Sequence, residues 1–165
     1  MKLFILRHGI TGDSETDAER QLTSAGRAEV VKIIKMKKDE LSDVTQIYSS
    51  PMIRVRDTLD IAANLMKYDG DIVPSEKITT GCRLKEITEF LYGLTTSNGD
   101  IMVSSHQSCT SIIVLWLTGE DVLIPNGSLL AIELDEIGQG KGKILWQESA
   151  SGAEIKRTTS FADFV

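Results

Sequence analysis

The chain has 165 residues, the size of one domain around one core, read here as a single domain over 1–165. Its 41% hydrophobic and 25% charged residues are those of an ordinary globular protein and exclude a disordered or fibrous one. A net charge of -6, a sequence pI near 5.0 and the lack of any basic run argue against nucleic acid or an anionic membrane surface as partner.

In chain order, Lys2–Leu6 is a short apolar run, as expected of a strand covered on both faces. Thr23 offers an N-cap to a helix reaching about Met36. Val44–Ser49 reads as the next strand, and Ser50-Pro51 as the cap and first-turn proline of a helix to about Lys67. Residues 71–74 suit a short strand. Leu84, Ile87, Leu91 and Leu94 repeat at helical spacing over 83–94. Asp100–Ser104 is a strand, Ser108–Thr118 an apolar helix stopped by Gly119, and Leu129–Leu134 and Lys143–Glu148 two late strands around "GQGKG". The polar tail after Ser149 is expected on the surface.

No stretch approaches the roughly 18 apolar residues that span a bilayer, and the N-terminus lacks a secretory pattern. Cys82 and Cys109 form no CxxC pair and read as two buried, reduced thiols of a cytoplasmic protein. Strands alternating with helices predict an α/β fold, a three-layer α/β/α sandwich with a mostly parallel central sheet. Ligands of such sheets bind at the carboxyl ends of the strands.

The chemistry concentrates at those ends. The sequence holds two histidines, His8 and His106, and each follows an apolar strand. Arg7 precedes the first, and Arg54 falls in the first turn of the helix after the second strand. Guanidinium forks match phosphoryl oxygens bidentately, and a helix N-terminus adds free N–H groups and partial positive charge. The cluster reads as a phosphate site in which a neutral imidazole attacks phosphorus. Gly9 lets the chain turn and leaves room for the anion. Arg56 lies about 200° around the helix from Arg54 and belongs on the solvent side. A zinc site from the two histidines and two cysteines lacks any recognised ligand spacing, and neither metal nor cofactor is expected.

These residues resemble the histidine phosphatase superfamily, the phosphoglycerate-mutase-like fold, whose signature is Arg-His-Gly after the first strand. "LFILRHG", "RQLTSAG", "IYSSPMIRVRDTLDIA" and "IMVSSH" match its blocks in order across most of the chain. Order and spacing are most similar to the SixA-type phosphohistidine phosphatases. The resemblance implies that His8 is the nucleophile and that Arg7, Arg54 and His106 hold the phosphoryl group. Gly9, Thr11, Arg20 and Ser105 then border the substrate, and phosphate, sulfate or vanadate are expected ligands.

The sequence departs from the wider family at the acid that protonates a leaving oxygen. Glu86 and Asp13 are the candidates, but Glu86 and Glu89 project from the helix face opposite Leu84, Ile87 and Leu91 at about 100° per residue. The acidic run Asp13–Glu19 reads first as a solvated loop and secondly as a border that screens substrates. An imidazole leaves with little help from an acid. The expectation is therefore a metal-independent phosphatase acting on phosphohistidine in a phosphorelay or phosphotransfer protein. The alternatives are a small-metabolite phosphomonoesterase of the same fold and a phosphoprotein-binding module without turnover.

Overall fold

The computed structural model describes residues 1–96, 98–150, 152 and 157–160. Strand β1 (Lys2–Arg7) is buried along its middle, and its side chains alternate between two cores. Phe4 and Leu6 face helices α1 (Ser24–Met36) and α2 (Ile53–Met66), packing with Val30, Ile33, Val55 and Leu59. Leu3 and Ile5 face α3 (Leu84–Tyr92) and α4 (Gln107–Thr118), packing with Ile87, Leu91, Ile113 and Leu117. The expected three layers follow directly from this alternation.

The central sheet adds β2 (Val44–Ser49), β3 (Ile72–Pro74), β4 (Asp100–Ser105), β6 (Ser128–Leu134) and β7 (Gly142–Ser149) in the order β3-β2-β4-β1-β6-β7. Strands β1 to β4 are mutually parallel, whereas β6 runs antiparallel to β1 and β7 to β6. The sheet is thus mostly parallel, with an antiparallel hairpin along one side. A second, two-stranded sheet pairs β5 (Glu120–Val122) with β8 (Arg157–Ser160), which the sequence reading did not anticipate in its polar tail. Residues 151, 153–156 and 161–165 of that tail lie outside the described residues.

Local signals explain most boundaries. Thr23 caps α1 as expected, its side chain accepting from Gly26 N–H at 2.9 Å. Gly119 ends α4 in the left-handed region at φ 76°. Two readings need correction. The helix after β2 begins at Ile53, with Met52 at the cap position, so Ser50 is not its cap. Leu84, placed on the buried face of α3, is 52% exposed, and Phe90 completes that face beside Ile87 and Leu91.

The cysteines also differ from expectation. Cys82 precedes α3, Cys109 sits in the first turn of α4, and their sulfurs are joined in a disulfide across 6.1 Å between Cα atoms. They are 27 residues apart, and only the packing of α4 against the segment before α3 brings them together. The expectation of two buried, reduced thiols is thereby corrected, and with it one of the grounds for a cytoplasmic compartment; Cys82 is also only partly buried. Among the described residues no helix is long and apolar enough to cross a membrane.

Candidate active site

Three parallel strands end level with one another. Arg7 is in register with Ser105, and Ser49 with Ser104, so the residues that follow, His8, Ser50 and His106, emerge side by side. The ladder continues one step past the strands: His8 N–H donates to Ser105 O at 3.4 Å and Ser50 N–H to Ser104 O at 3.1 Å. Beyond this rim lies a cavity of about 580 Å³, lined among others by Arg7, His8, Arg54 and His106. The four residues assigned to phosphoryl chemistry thus share one wall.

His8 is buried, and its Nδ1 lies 2.8 Å from Gly9 O. A carbonyl only accepts, so Nδ1 carries the hydrogen and Nε2 keeps its lone pair. Burial first, and then the Arg54, Arg7 and Arg20 charges, lower the His8 pKa to about 4, against a smaller upward pull from the Gly9 bond. The ring is therefore neutral at pH 7. Its own carbonyl is held twice, by Gly127 N–H at 3.0 Å and the Asn126 side-chain amide at 3.2 Å.

His106 packs edge to face on His8, with ring centroids 5.4 Å apart. Its Nε2 lies 2.8 Å from Ser50 Oγ. Donation of the serine hydroxyl to Nε2 leaves the hydrogen of His106 on Nδ1, a buried atom with no protein partner. Burial, then the Arg54 charge, push the His106 pKa down to about 3. Arg7 donates through Nη1 to Gln107 Oε1 at 2.9 Å and Ile124 O at 2.8 Å. Arg54 spends its two terminal nitrogens on Asp17, with Nη1 on the backbone carbonyl at 2.8 Å and Nη2 on the carboxylate at 3.1 Å.

What remains unused identifies the ligand chemistry. The Nε atoms of Arg7 and Arg54 and Nδ1 of His106 are all buried without a hydrogen-bond partner. Buried polar atoms are almost always satisfied, and these three belong to residues that line the cavity. α4 starts directly after His106, and Gln107 and Ser108 of its first turn line the same cavity, where N–H groups lack partners within the helix. The donor set suits a tetrahedral oxyanion.

Other residues named from the sequence fall elsewhere. Thr11 and Arg20 line the cavity. Arg20, however, directs its donors to the loop: Nε to Gly12 O at 3.3 Å, Nη1 to Asp17 Oδ1 at 3.5 Å and Nη2 to Thr11 Oγ1. Ser105 turns its hydroxyl away, to Ile78 O, because alternate residues of β4 face opposite sides. Gly9 does not line the cavity. A Cβ there would sit 2.8 Å from Gly26 O, and one on Gly26 would sit 2.2 Å from Ile10 O, so these glycines let α1 close on the strand end. Glu86 and Asp13 also lie off the cavity wall. Glu86 instead accepts from Arg83 N–H at 3.0 Å, satisfying the start of α3.

Sequence reasoning missed Gln107 and Asn126, read Ser50 as a helix cap rather than the partner of His106, and met Asp17 only within the acidic border Asp13–Glu19. A signal for Asn126 exists in "PNG", just before β6. That strand runs antiparallel to β1, so its beginning returns to the rim where the parallel strands end.

Comparison with solved structures agrees with this geometry. The chain superposes on the protein histidine phosphatase SixA complexed with tungstate at a TM-score of 0.83 and 24% identity, covering 92% of this chain and 98% of that one. A putative phosphohistidine phosphatase SixA from Agrobacterium tumefaciens gives 0.76 at 20% identity, covering 89% and 96%. A phosphoserine phosphatase mutant from Entamoeba histolytica, in complex with phosphoserine, gives 0.67 at 17% identity, covering 92% and 98%. No protein-family model matches the sequence, and no curated protein matches it. By its architecture, then, the chain has the phosphoglycerate-mutase-like fold of the histidine phosphatases, in the form seen in the SixA structures.

Proposed function

We propose that this chain is a metal-independent phosphatase working through a phosphohistidine intermediate on His8, and that its substrate is a phosphohistidine in a phosphorelay or phosphotransfer protein. Nε2 of His8 attacks phosphorus while the P–N bond to the substrate imidazole breaks, and the leaving ring takes the electron pair. Water then attacks the phosphorus on His8, releasing inorganic phosphate and restoring the ring. Nε of Arg7, Nε of Arg54 and, with its hydrogen on Nδ1, His106 are among the donors left to hold the equatorial oxygens.

One observation carries the choice of substrate: among the residues that line the cavity there is no carboxyl group. Asp17, on the solvent side of Arg54, does not line the cavity. Desolvation is the largest single effect on its carboxyl and raises its pKa, but the hydrogen bonds and charges of Arg54 and Arg20 together outweigh it and hold it below the usual range, so it stays ionised. Alkoxide leaving groups are strongly basic and profit from a proton donor. A phosphorylated imidazole protonated on its other nitrogen leaves as a neutral ring, whose conjugate acid has a reference pKa near 6.5, so no dedicated acid at the departing nitrogen is required. The two SixA structures among the neighbours support this reading, and the phosphoserine phosphatase supplies its competitor.

The test compares turnover of a phosphohistidine protein, a phosphoserine peptide and small phosphorylated metabolites, with a chelator present. The phosphohistidine protein is expected to turn over fastest. His8→Ala is expected to lower release of phosphate from an aryl phosphate by at least about 10³-fold, as loss of a nucleophile does, and vanadate to inhibit the active protein. Release unaffected by His8→Ala sinks the covalent route. A metabolite phosphate turned over far faster than phosphohistidine sinks the substrate assignment.

A further inference from the structure

We infer that Asp17 is the positioning residue of Arg54: it takes the guanidinium end-on and leaves the Nε edge to the phosphoryl group. The inference rests on reading this cavity as a phosphoryl site. Arg54 is almost wholly buried, its side chain only 4% exposed. A buried guanidinium with five N–H donors needs partners that fix its plane. Its own helix gives none, and Asp57, three residues on, pairs with Arg27 at 3.0 Å instead.

Asp17 supplies two acceptors. Its backbone carbonyl takes one hydrogen of Nη1, and its Oδ2 takes one of Nη2. Three hydrogens remain on Arg54, one on each terminal nitrogen and one on the partnerless Nε. A side-on fork of Nε and one terminal nitrogen is what bidentate recognition of a phosphoryl oxygen pair uses. The residue that blocks the end of the guanidinium therefore selects the edge that is offered.

The anchor is itself braced. Asp17 Oδ1 meets Arg20 Nη1 at 3.5 Å, and Arg20 ties the same loop to Gly12 O and Thr11. Asp17 opens a short 3-10 turn, Asp17–Glu19, whose residues are otherwise unburied. An exposed ion pair between flexible chains contributes little. This one differs because one partner is buried and is held through a backbone carbonyl as well as a carboxylate. Of the acidic run Asp13–Glu19, the position that touches the site is the one with a buried partner.

The experiment measures vanadate inhibition, kcat and KM on an aryl phosphate for the full chain and for Asp17→Ala, Asp17→Asn and Glu15→Ala. Asp17→Ala is expected to weaken vanadate binding by about 10- to 100-fold, the range set by a charge-assisted hydrogen bond. Asp17→Asn keeps a carbonyl acceptor and is expected to recover to about two- to fivefold below the unaltered chain. Glu15→Ala removes the same charge from the same segment and is expected to stay within about twofold. Vanadate binding in Asp17→Ala as tight as in the unaltered chain, or tighter, overturns the inference, because the carboxylate would then be idle or a competitor of the anion. If Asp17→Ala does not fold, Asp17→Asn decides, and affinity equal to or above that of the unaltered chain is again fatal. An unaltered chain that is active and vanadate-sensitive isolates failure to Asp17. One with no vanadate-sensitive turnover overturns the phosphoryl site and this inference together.

Discussion

The cavity has two sides that are held by different means. His8, Ser50 and His106 follow three adjacent strands, and backbone bonds from His8 to Ser105 and from Ser50 to Ser104 carry the ladder into the site. The segment from Thr11 to Arg20 has no such frame. It is joined to the chain beyond it by a bridge, Thr11 to Leu22, a bond from Gly12 N–H to Gln21 O, and the carbonyl and carboxylate of Asp17 on Arg54, while Arg20 ties the segment to itself. A ladder fixes atoms without regard to side chains, whereas the loop is only as fixed as its ion pairs. On the proposed mechanism the nucleophile therefore sits on the rigid strand-end side, and the loop is the side that adjusts the grip on the anion.

Substitution on the two sides sharpens the contrast. Ser50→Ala leaves Nε2 of buried His106 without its partner, and is expected to lower kcat on an aryl phosphate by about 10- to 100-fold, the cost of an unpaired buried group. Arg20→Ala, on the loop, is expected to act mainly through KM and by less than about tenfold, because the donors of Arg20 serve the loop. Equal losses in kcat from both substitutions break the distinction.

The strand-end side also has a signature in stability. His8 and His106 have pKa values of about 4 and about 3 in the folded chain, each lowered first by burial, against a reference near 6.5. Between pH 6.5 and 4 the unfolded chain therefore binds up to two protons that the folded chain refuses. The contribution of the rings is complete above pH 6.5 and is lost as pH falls, at up to about 1.4 kcal/mol per pH unit per ring. Urea unfolding between pH 7.5 and 4.5 measures the slope. His106→Asn is expected to make it shallower by one ring's share, and an unchanged slope would place the sensitivity elsewhere.

The strand-end side was also the side legible in the sequence. Apolar runs ending in Arg-His, Ser-Ser-Pro and Ser-Ser-His announce β1, β2, β4 and their rim, because strand burial and a parallel sheet follow from local pattern. The Thr23 cap and the Gly119 stop are equally local. What was hidden depends on which pieces meet. The inward turn of Asp17 requires Arg54, which lies 37 residues away, and the pairing of Cys82 with Cys109 requires α4 to pack beside the segment before α3. Ser105 followed from placement at a strand end, but the two-residue alternation sends its hydroxyl to Ile78. Gly9 was assigned to the anion, and the reason for its lack of a side chain is Gly26 of α1. Local chemistry is written in short words, and contact between distant segments is not.

The smallest expected effect tests a carboxylate that lies off the cavity wall. Glu86 was one of the two carboxylates that could have served as an acid, and the helical pattern already placed it opposite the buried face of α3. Its carboxylate accepts from Arg83 N–H at 3.0 Å, and its own backbone N–H first and that bond second keep it below the usual carboxylate range. An acid for an alkoxide leaving group needs the opposite, a raised pKa beside the departing oxygen. Glu86→Gln keeps the acceptor and removes the proton donor, so turnover of phosphohistidine and of an aryl phosphate is expected to change by less than about twofold. A large loss confined to alkyl phosphates would mean that α3 moves its first turn over the rim during the reaction. The chain would then belong with the phosphomonoesterases of this fold rather than with an acid-free phosphohistidine site.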